Sequence, residues 1–426
     1  MDVIVEPKSR RTIREWNVKA AKMAKNSSNP IRALVDEMKL TPNPDKEMIA
    51  LSIGDPTVFG NLPPSTVASE AVVEATRSNK FNGYAPCVGY ESARVAVAEY
   101  TSWPSAPITA KDVVFASGCS GALDLAISVL VNPGQNILLP RPGFSLYKTF
   151  ADAVGIHVRY YDLIPEKSWE VDLDQMESLM DNDTAAILIN NPSNPCGSVF
   201  SIKHIREILA VAEKNKVPVI ADEIYAHFVF PGHEYISMAS QTTTVPILAC
   251  GGLTKRFLVP GWRMGWVTIH DRHGVFEKEV RAGLTGLSQR TLGPNTLVQG
   301  ALAKILTQTP SHFFDSTLQA IHRNARICFE ALSNVCGLRP VMPQGAMYMM
   351  VGIDMDRFPE FKNDKEFTEC LVTEQSVFCL PAQCFEYPDY FRIVLTVPED
   401  KISEACDRIA EFCNVHYCRE MMDTFY

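Results

Sequence analysis

The sequence predicts an α/β fold: a mostly parallel central sheet with helices on both faces, joined to a smaller α+β domain. Three observations predict it. Short apolar runs at 113–116, 136–140, 185–190, 217–221 and 247–250, closed by Gly, Asn or Asp, alternate with helical patterns, as strand–helix–strand units do. Helical patterning dominates 296–332. Beyond the break Gly337-Leu338-Arg339-Pro340, strand-like pieces at 346–351 and 391–397 mix with helices at 364–374 and 401–417.

In chain order, the first stretch is polar, rich in Lys, Asn and Pro, and ends in Thr41-Pro42-Asn43-Pro44, where each proline disfavours helix in the residue before it. An arm over 1–47 is expected. A large domain over 81–311 and a small domain made of 48–80 and 312–426 follow, and 426 residues are enough for such cores without covalent staples. The formal net charge of −9, with no long basic run, argues against nucleic acid as a partner. The longest apolar stretch, 113–131, contains Asp124, two glycines and several serines, so no membrane span is expected. Twelve cysteines are scattered with no CxxC pair, and Asp2 and Glu6 suit neither a signal nor a transit peptide. Reduced thiols in the cytoplasm are expected. Cys413, His416 and Cys418 are the one metal-like cluster, but their place on a helix end favours a structural role, and no metal is expected.

Ligands of parallel sheets gather where strands end, so polar residues after apolar runs have a chemical reason to be there. After 113–116, Ser117-Gly118-Cys119-Ser120-Gly121 opens a helix whose free N–H groups suit a phosphate. The same stretch nearly forms a GxSxG elbow, with Ala122 in the last place, which makes a hydrolase with Ser120 as nucleophile a rival. After 185–189, Asn190-Asn191-Pro192-Ser193-Asn194-Pro195 is a stiff turn that can aim Asn194 at a ligand oxygen. Asp222 ends the run 217–221, where a buried carboxylate needs a cation. Lys255 follows Gly251-Gly252, where desolvation turns an amine into a nucleophile toward an aldehyde. Arg263, after Pro260-Gly261, can serve an anion; Arg392 interrupts an apolar strand and needs a carboxylate or phosphate. One ligand with a phosphate, a basic ring nitrogen, a phenolic oxygen and an aldehyde satisfies all of these. Pyridoxal phosphate has those parts.

At this point the chain resembles a known family, the fold-type I pyridoxal-phosphate aminotransferases, from about Asn29 to Tyr417. The resemblance is carried by Asn29-Pro30-Ile31-Arg32, by Leu51-Ser52-Ile53-Gly54-Asp55-Pro56, by Asn82-Gly83-Tyr84, by Pro140-Arg141-Pro142-Gly143-Phe144 and by the block from Lys255 to Arg263. The longer stretches are similar to members that act on tyrosine. The resemblance implies that Lys255 carries the cofactor and shuttles the proton at the substrate Cα, and that Asp222 keeps the ring nitrogen charged. Asn194 and Tyr225 would bond the phenolic oxygen, Phe144 would stack on the ring, and Cys119, Ser120, Arg263 and a partner subunit's Tyr84 would hold the phosphate. Arg392 would grip the α-carboxylate, helped by the backbone near Gly54. The implied reaction moves the amino group of tyrosine, and of phenylalanine, to 2-oxoglutarate in a homodimer with shared sites; a lyase or synthase using the same lysine is the rival within the fold. One departure stands out: many members have a serine three residues before the lysine, where this chain has Gly252, with Thr254 as the available hydroxyl. Arg290 is a further candidate for a substrate's distal carboxylate, with a structural role preferred.

Overall fold

The structure is a computed structural model that describes residue 16 and residues 18–419; the start of the arm, with Asp2 and Glu6, lies outside them. Eight strands form the central sheet in the order Val113–Ser117, Met264–His270, Ile247–Gly252, Val219–Asp222, Thr184–Asn190, Asn136–Arg141, His157–Ile164, Glu170–Val171. The five from Ile247–Gly252 to His157–Ile164 pair in parallel. Successive residues of these strands feed opposite cores, as the strand period of two requires. Ile137, Leu139, Ala186, Leu188, Ile220 and Leu248 pack beneath helix Gly118–Leu130, whereas Leu138, Ile187, Ile189, Val219, Ala221 and Ile247 pack against helix Ile202–Asn215. The expected mostly parallel sheet with helices on both faces is what folds.

The smaller layer is a four-stranded antiparallel sheet, Leu338–Pro340, Tyr348–Ile353, Tyr390–Val394, Leu380–Pro381, backed by helices Ser311–Leu332, Asp364–Gln375 and Glu399–His416. Residues 48–80 do not pack as one unit with it. Ile49–Ala50 pair with Val377–Phe378, but Ala68, Ala71 and Ala75 of helix Thr66–Arg77 join the cluster of Ala301 and Leu302 from helix Thr296–Gln308, beneath Val113 and Phe115 of the large sheet. Their small side chains let the two helices approach closely. His416 lies between Glu360 (2.6 Å) and Glu374 (3.0 Å), a salt link at the helix end that raises its pKa.

Strand Met264–His270 has no counterpart in the pattern reading. It runs antiparallel between Val113–Ser117 and Ile247–Gly252, and residues 264–269 are buried on both faces, so no polar alternation marks it. It crosses beneath the start of helix Gly118–Leu130 so tightly that a Cβ on Gly265 would fall 2.2 Å from the Gly118 carbonyl carbon and 2.5 Å from the Cys119 nitrogen. Gly265→Ala is therefore expected to destabilise the fold by about 1–3 kcal/mol, the usual cost of overpacking. A urea melt should show the lower midpoint; an unchanged midpoint would mean that the helix start can move away at no cost.

Candidate active site

The register of the parallel strands sets the floor of the site. Asn190 stands opposite Asp222, so two neighbouring strands finish at one level and turn these last side chains toward a common space, while the next strand, Ile247–Gly252, runs two residues further toward Lys255. That space is a cavity of about 590 Å³ at the carboxyl ends of the strands, where open α/β sheets bind ligands. Its walls come from the large sheet, from the smaller layer (Tyr348, Leu380, Arg392) and from helix Pro30–Glu37 (Ile31, Arg32, Val35).

Asp222 is only 3% exposed, and burial pushes its carboxyl up from the usual range. Tyr147 donates to its Oδ2 at 2.6 Å, the Cys119 thiol to its Oδ1 at 3.6 Å and the Ile224 amide to the same Oδ1 at 3.1 Å. Burial raises the Cys119 and Tyr147 pKa values well above their usual ones, with the nearby carboxylate adding to the effect, so both stay protonated as donors. Asn190 fixes the turn beside it, donating from Nδ2 to the Asp222 carbonyl at 3.0 Å while its Oδ1 accepts from the Asn194 amide at 2.7 Å. Glu223, next in sequence, points away and binds Ser237 and the Met238 amide.

Lys255 extends its Nζ to the Gly54 carbonyl at 2.6 Å. Arg392, 3% exposed in the middle of its strand, donates from Nη1 to Asn194 Oδ1 at 2.9 Å and from Nη2 to the Ser52 carbonyl at 2.8 Å. Its charge centre lies 4.3 Å from the Tyr348 ring and 5.0 Å from that of Phe385. Its buried Nε has no partner, and no carboxylate among the described residues pairs with it. A buried guanidinium left so is costly unless an anion arrives. Since Asn194 Oδ1 is taken by Arg392, the donor that Asn194 has left for a ligand is its amide nitrogen. Tyr225 donates to the Tyr348 hydroxyl at 2.8 Å.

The anion-binding end is the first turn of helix Gly118–Leu130, where Cys119 and Ser120 line the cavity beside Arg263. Arg263 is tethered to the Pro260 carbonyl (3.0 Å) and the Ser117 carbonyl (3.2 Å). Gly118 has φ +69°, and a Cβ there would meet the Arg263 guanidinium at 2.4 Å, so only glycine lets the turn and the arginine coexist. The departure at Gly252 has a similar cause. A Cβ there would come within 2.6 Å of the Met264 carbonyl oxygen on the neighbouring strand, whereas Thr254 lines the cavity.

The cavity thus brings together Lys255, Asp222, Tyr225, Cys119, Ser120, Phe144, Asn194, Arg263, Arg392 and Gly54. Gly54 offers its carbonyl to Lys255, and the carbonyl of Ser52, two residues earlier, accepts from Arg392. Tyr84 lies outside the lining and is 89% exposed. Arg290 is also outside it, exposed near Asp124. The lining contains no histidine, so Ser120 lacks there the triad that the hydrolase reading needs, and that reading falls. Two residues escaped sequence reading, Tyr147 and Tyr348. For Tyr348 a signal existed: Met350 pairs with Arg392, so Tyr348, two residues earlier on its strand, shares that face.

These residues fit pyridoxal phosphate on the structure's own terms. A buried carboxylate faces the cavity, a helix start with an arginine forms an anion cup, and a lysine lines the same cavity with its amine on the Gly54 carbonyl. The family model for aminotransferase class I and II matches residues 46–409. The chain is 59% identical to the tyrosine aminotransferases of Mus musculus and Homo sapiens over 95% of its own length and 89% of theirs. The solved tyrosine aminotransferase of Leishmania infantum superposes with a TM-score of 0.91 at 35% identity, covering 95% of this chain and all of that one. With the cavity, its buried acid and its lysine in view, the chain belongs to the class I and II aminotransferases, enzymes that depend on pyridoxal phosphate.

Proposed function

We propose that this enzyme moves the amino group of L-tyrosine to 2-oxoglutarate, giving 4-hydroxyphenylpyruvate and L-glutamate, that it also takes L-phenylalanine, and that it works in the cytoplasm as a homodimer with shared sites. The observation that carries the reading is one cavity holding Lys255, Asp222 and a buried, anion-seeking Arg392, in a chain this similar to tyrosine aminotransferases along nearly its whole length. The chemistry supplied by bound pyridoxal phosphate is an aldehyde that takes up an amino group and a ring that withdraws electrons.

The chain's own residues do the rest. Ser120, Arg263 and the helix start would hold the phosphate, and Asp222 would keep the ring nitrogen protonated, the charge that makes burying the carboxylate tolerable. Asn194 would donate from its amide nitrogen to the ring's oxygen, Tyr225 would do so by turning its hydroxyl hydrogen from Tyr348, and Phe144 would cover the ring. Arg392 receives the α-carboxylate shared by all amino acids; with two of its nitrogens tethered, its fork is oriented before the substrate arrives. Lys255 takes the proton released at the substrate Cα and returns it. Ile31, Val35, Ile53 and Phe378 give an apolar wall for an aromatic side chain.

The direct test mixes the loaded enzyme with L-tyrosine and 2-oxoglutarate. Equal amounts of 4-hydroxyphenylpyruvate and glutamate are expected by chromatography. An eliminated group, or loss of tyrosine without glutamate, would support the lyase or synthase instead.

The shared site rests on Tyr84, a large aromatic left exposed outside its own chain's cavity. In a mixed dimer of Tyr84→Ala and Lys255→Ala chains, the site on the Tyr84→Ala chain keeps its lysine and borrows an intact Tyr84. Co-refolded mixtures should therefore exceed the summed activity of the parent homodimers. Activity no greater than that sum would remove the shared site.

A further inference from the structure

We propose that Asp364, at the start of helix Asp364–Gln375, is a positioning residue for the substrate's α-carboxylate: it fixes the turn that carries Phe385 against the Arg392 guanidinium. The inference rests on the reading above, in which Arg392 receives that carboxylate. It concerns what holds Arg392 from outside the cavity lining, to which neither Asp364 nor Phe385 belongs.

Strand Leu380–Pro381 runs antiparallel to the strand of Arg392, with Leu380 opposite Arg392 itself. The chain then turns through Ala382–Phe385, and the buried Phe385 ring comes to 5.0 Å from the Arg392 charge centre. Since the Arg392 Nε has no partner, the tilt of its fork is set by the two tethered Nη atoms and by the rings of Tyr348 and Phe385. A turn that shifts therefore lets the fork tilt, and a two-pronged bond to a carboxylate tolerates little tilt.

What holds the turn is a carboxylate. Asp364 has no exposed surface, and its Oδ2 accepts from the Gln383 amide at 2.9 Å; the amides of Ala382 and of Asp364 itself also favour its charged form. The polar side chain of the turn does not take this part, because Gln383 Nε2 is buried without a partner. Asp364 occupies its place at a cost to stability. Its Oδ1 is buried and unpaired, and burial, with the Asp389 charge adding to it, pushes the carboxyl up to about 6. A pKa raised on folding means that the fold favours the protonated form, so at pH 8 the charge subtracts from stability. An acid that served stability would show a lowered pKa. Asp364 instead has the character of a group held for the placement of its neighbours.

The test measures the Kd of 3-(4-hydroxyphenyl)propionate, which has the ring and carboxylate of tyrosine but no amino group, through the absorbance of the loaded enzyme. The kcat for L-tyrosine and the thermal midpoint at pH 8 are taken alongside. Arg392→Lys is measured first and should weaken the acid most; unchanged binding there would overturn the α-carboxylate assignment together with this inference. Asp364→Asn should weaken the acid about threefold or more, the size of a coupling carried through packed side chains, with kcat within about twofold and the midpoint no lower than in the wild type. Phe385→Leu should weaken it too. In the double variant the loss should be little more than in Phe385→Leu alone, because the turn has lost the ring through which it acts. Asp364→Ser is made in parallel and held to the same Kd and kcat limits, in case the asparagine chain does not fold. A Kd within about twofold of wild type in the Asp364 variants overturns the proposal, whatever happens to the midpoint. So does a double variant whose loss is the product of the single ones.

Discussion

A carboxylate buried at the end of a central strand is the constraint around which this structure is organised. Asp222 gives up hydration that water would supply freely, and burial alone drives it toward the neutral form. The fold offsets that cost with directed donors: the Tyr147 hydroxyl, the Cys119 thiol and the Ile224 amide, with Asn190 pinning the backbone of the same residue. Two of the donors arrive on helices Leu146–Val154 and Gly118–Leu130 and the third in the turn that follows Asp222 itself, so the packing of both helices is tied to one acid. None of the three is a full cation. A charged ring nitrogen completes the balance, and so the binding of the cofactor and the electrostatics of the core are one problem.

Arg392 poses the opposite charge in the same cavity, from the other layer. Its guanidinium is held by two carbonyl-type oxygens and two aromatic rings, which orient it without neutralising it. Asn194 connects the halves, since its backbone is fixed by Asn190 of the large sheet while its side chain accepts from Arg392 of the smaller one. The acid floor and the basic wall are thereby set relative to each other before any ligand binds, which is the preorganisation that transition-state stabilisation needs. Close backbone approaches complete the frame. Gly252 and Gly265 sit where strand Met264–His270 and its neighbours leave no room for a Cβ, and Gly118 sits, at positive φ, where the Arg263 guanidinium leaves none.

Much of this was legible in the sequence because strand ends announce themselves. Asp222, Asn194 and the Gly251–Lys255 turn each follow an apolar run of strand length, and a buried strand with a polar stop carries a chemical message. Arg392 was legible for the converse reason, a charge where the pattern demanded none. What escaped was decided by contacts between distant segments. Tyr147 sits 75 positions from the acid it serves, and Tyr348 touches Tyr225 from 123 positions away. Strand Met264–His270 was hidden because burial on both faces erases alternation. The division of 48–80 between two layers was equally hidden, since an alanine-rich helix face fits either core.

The measurement that bears most directly on the site is borohydride reduction of the native, loaded protein followed by peptide mapping. Lys255 is the lysine that lines the cavity together with the buried acid and the anion cup. Its peptide should therefore carry the reduced cofactor, and the label should be lost in Lys255→Ala. Label on any other lysine would contradict the assignment of this cavity as the reacting centre.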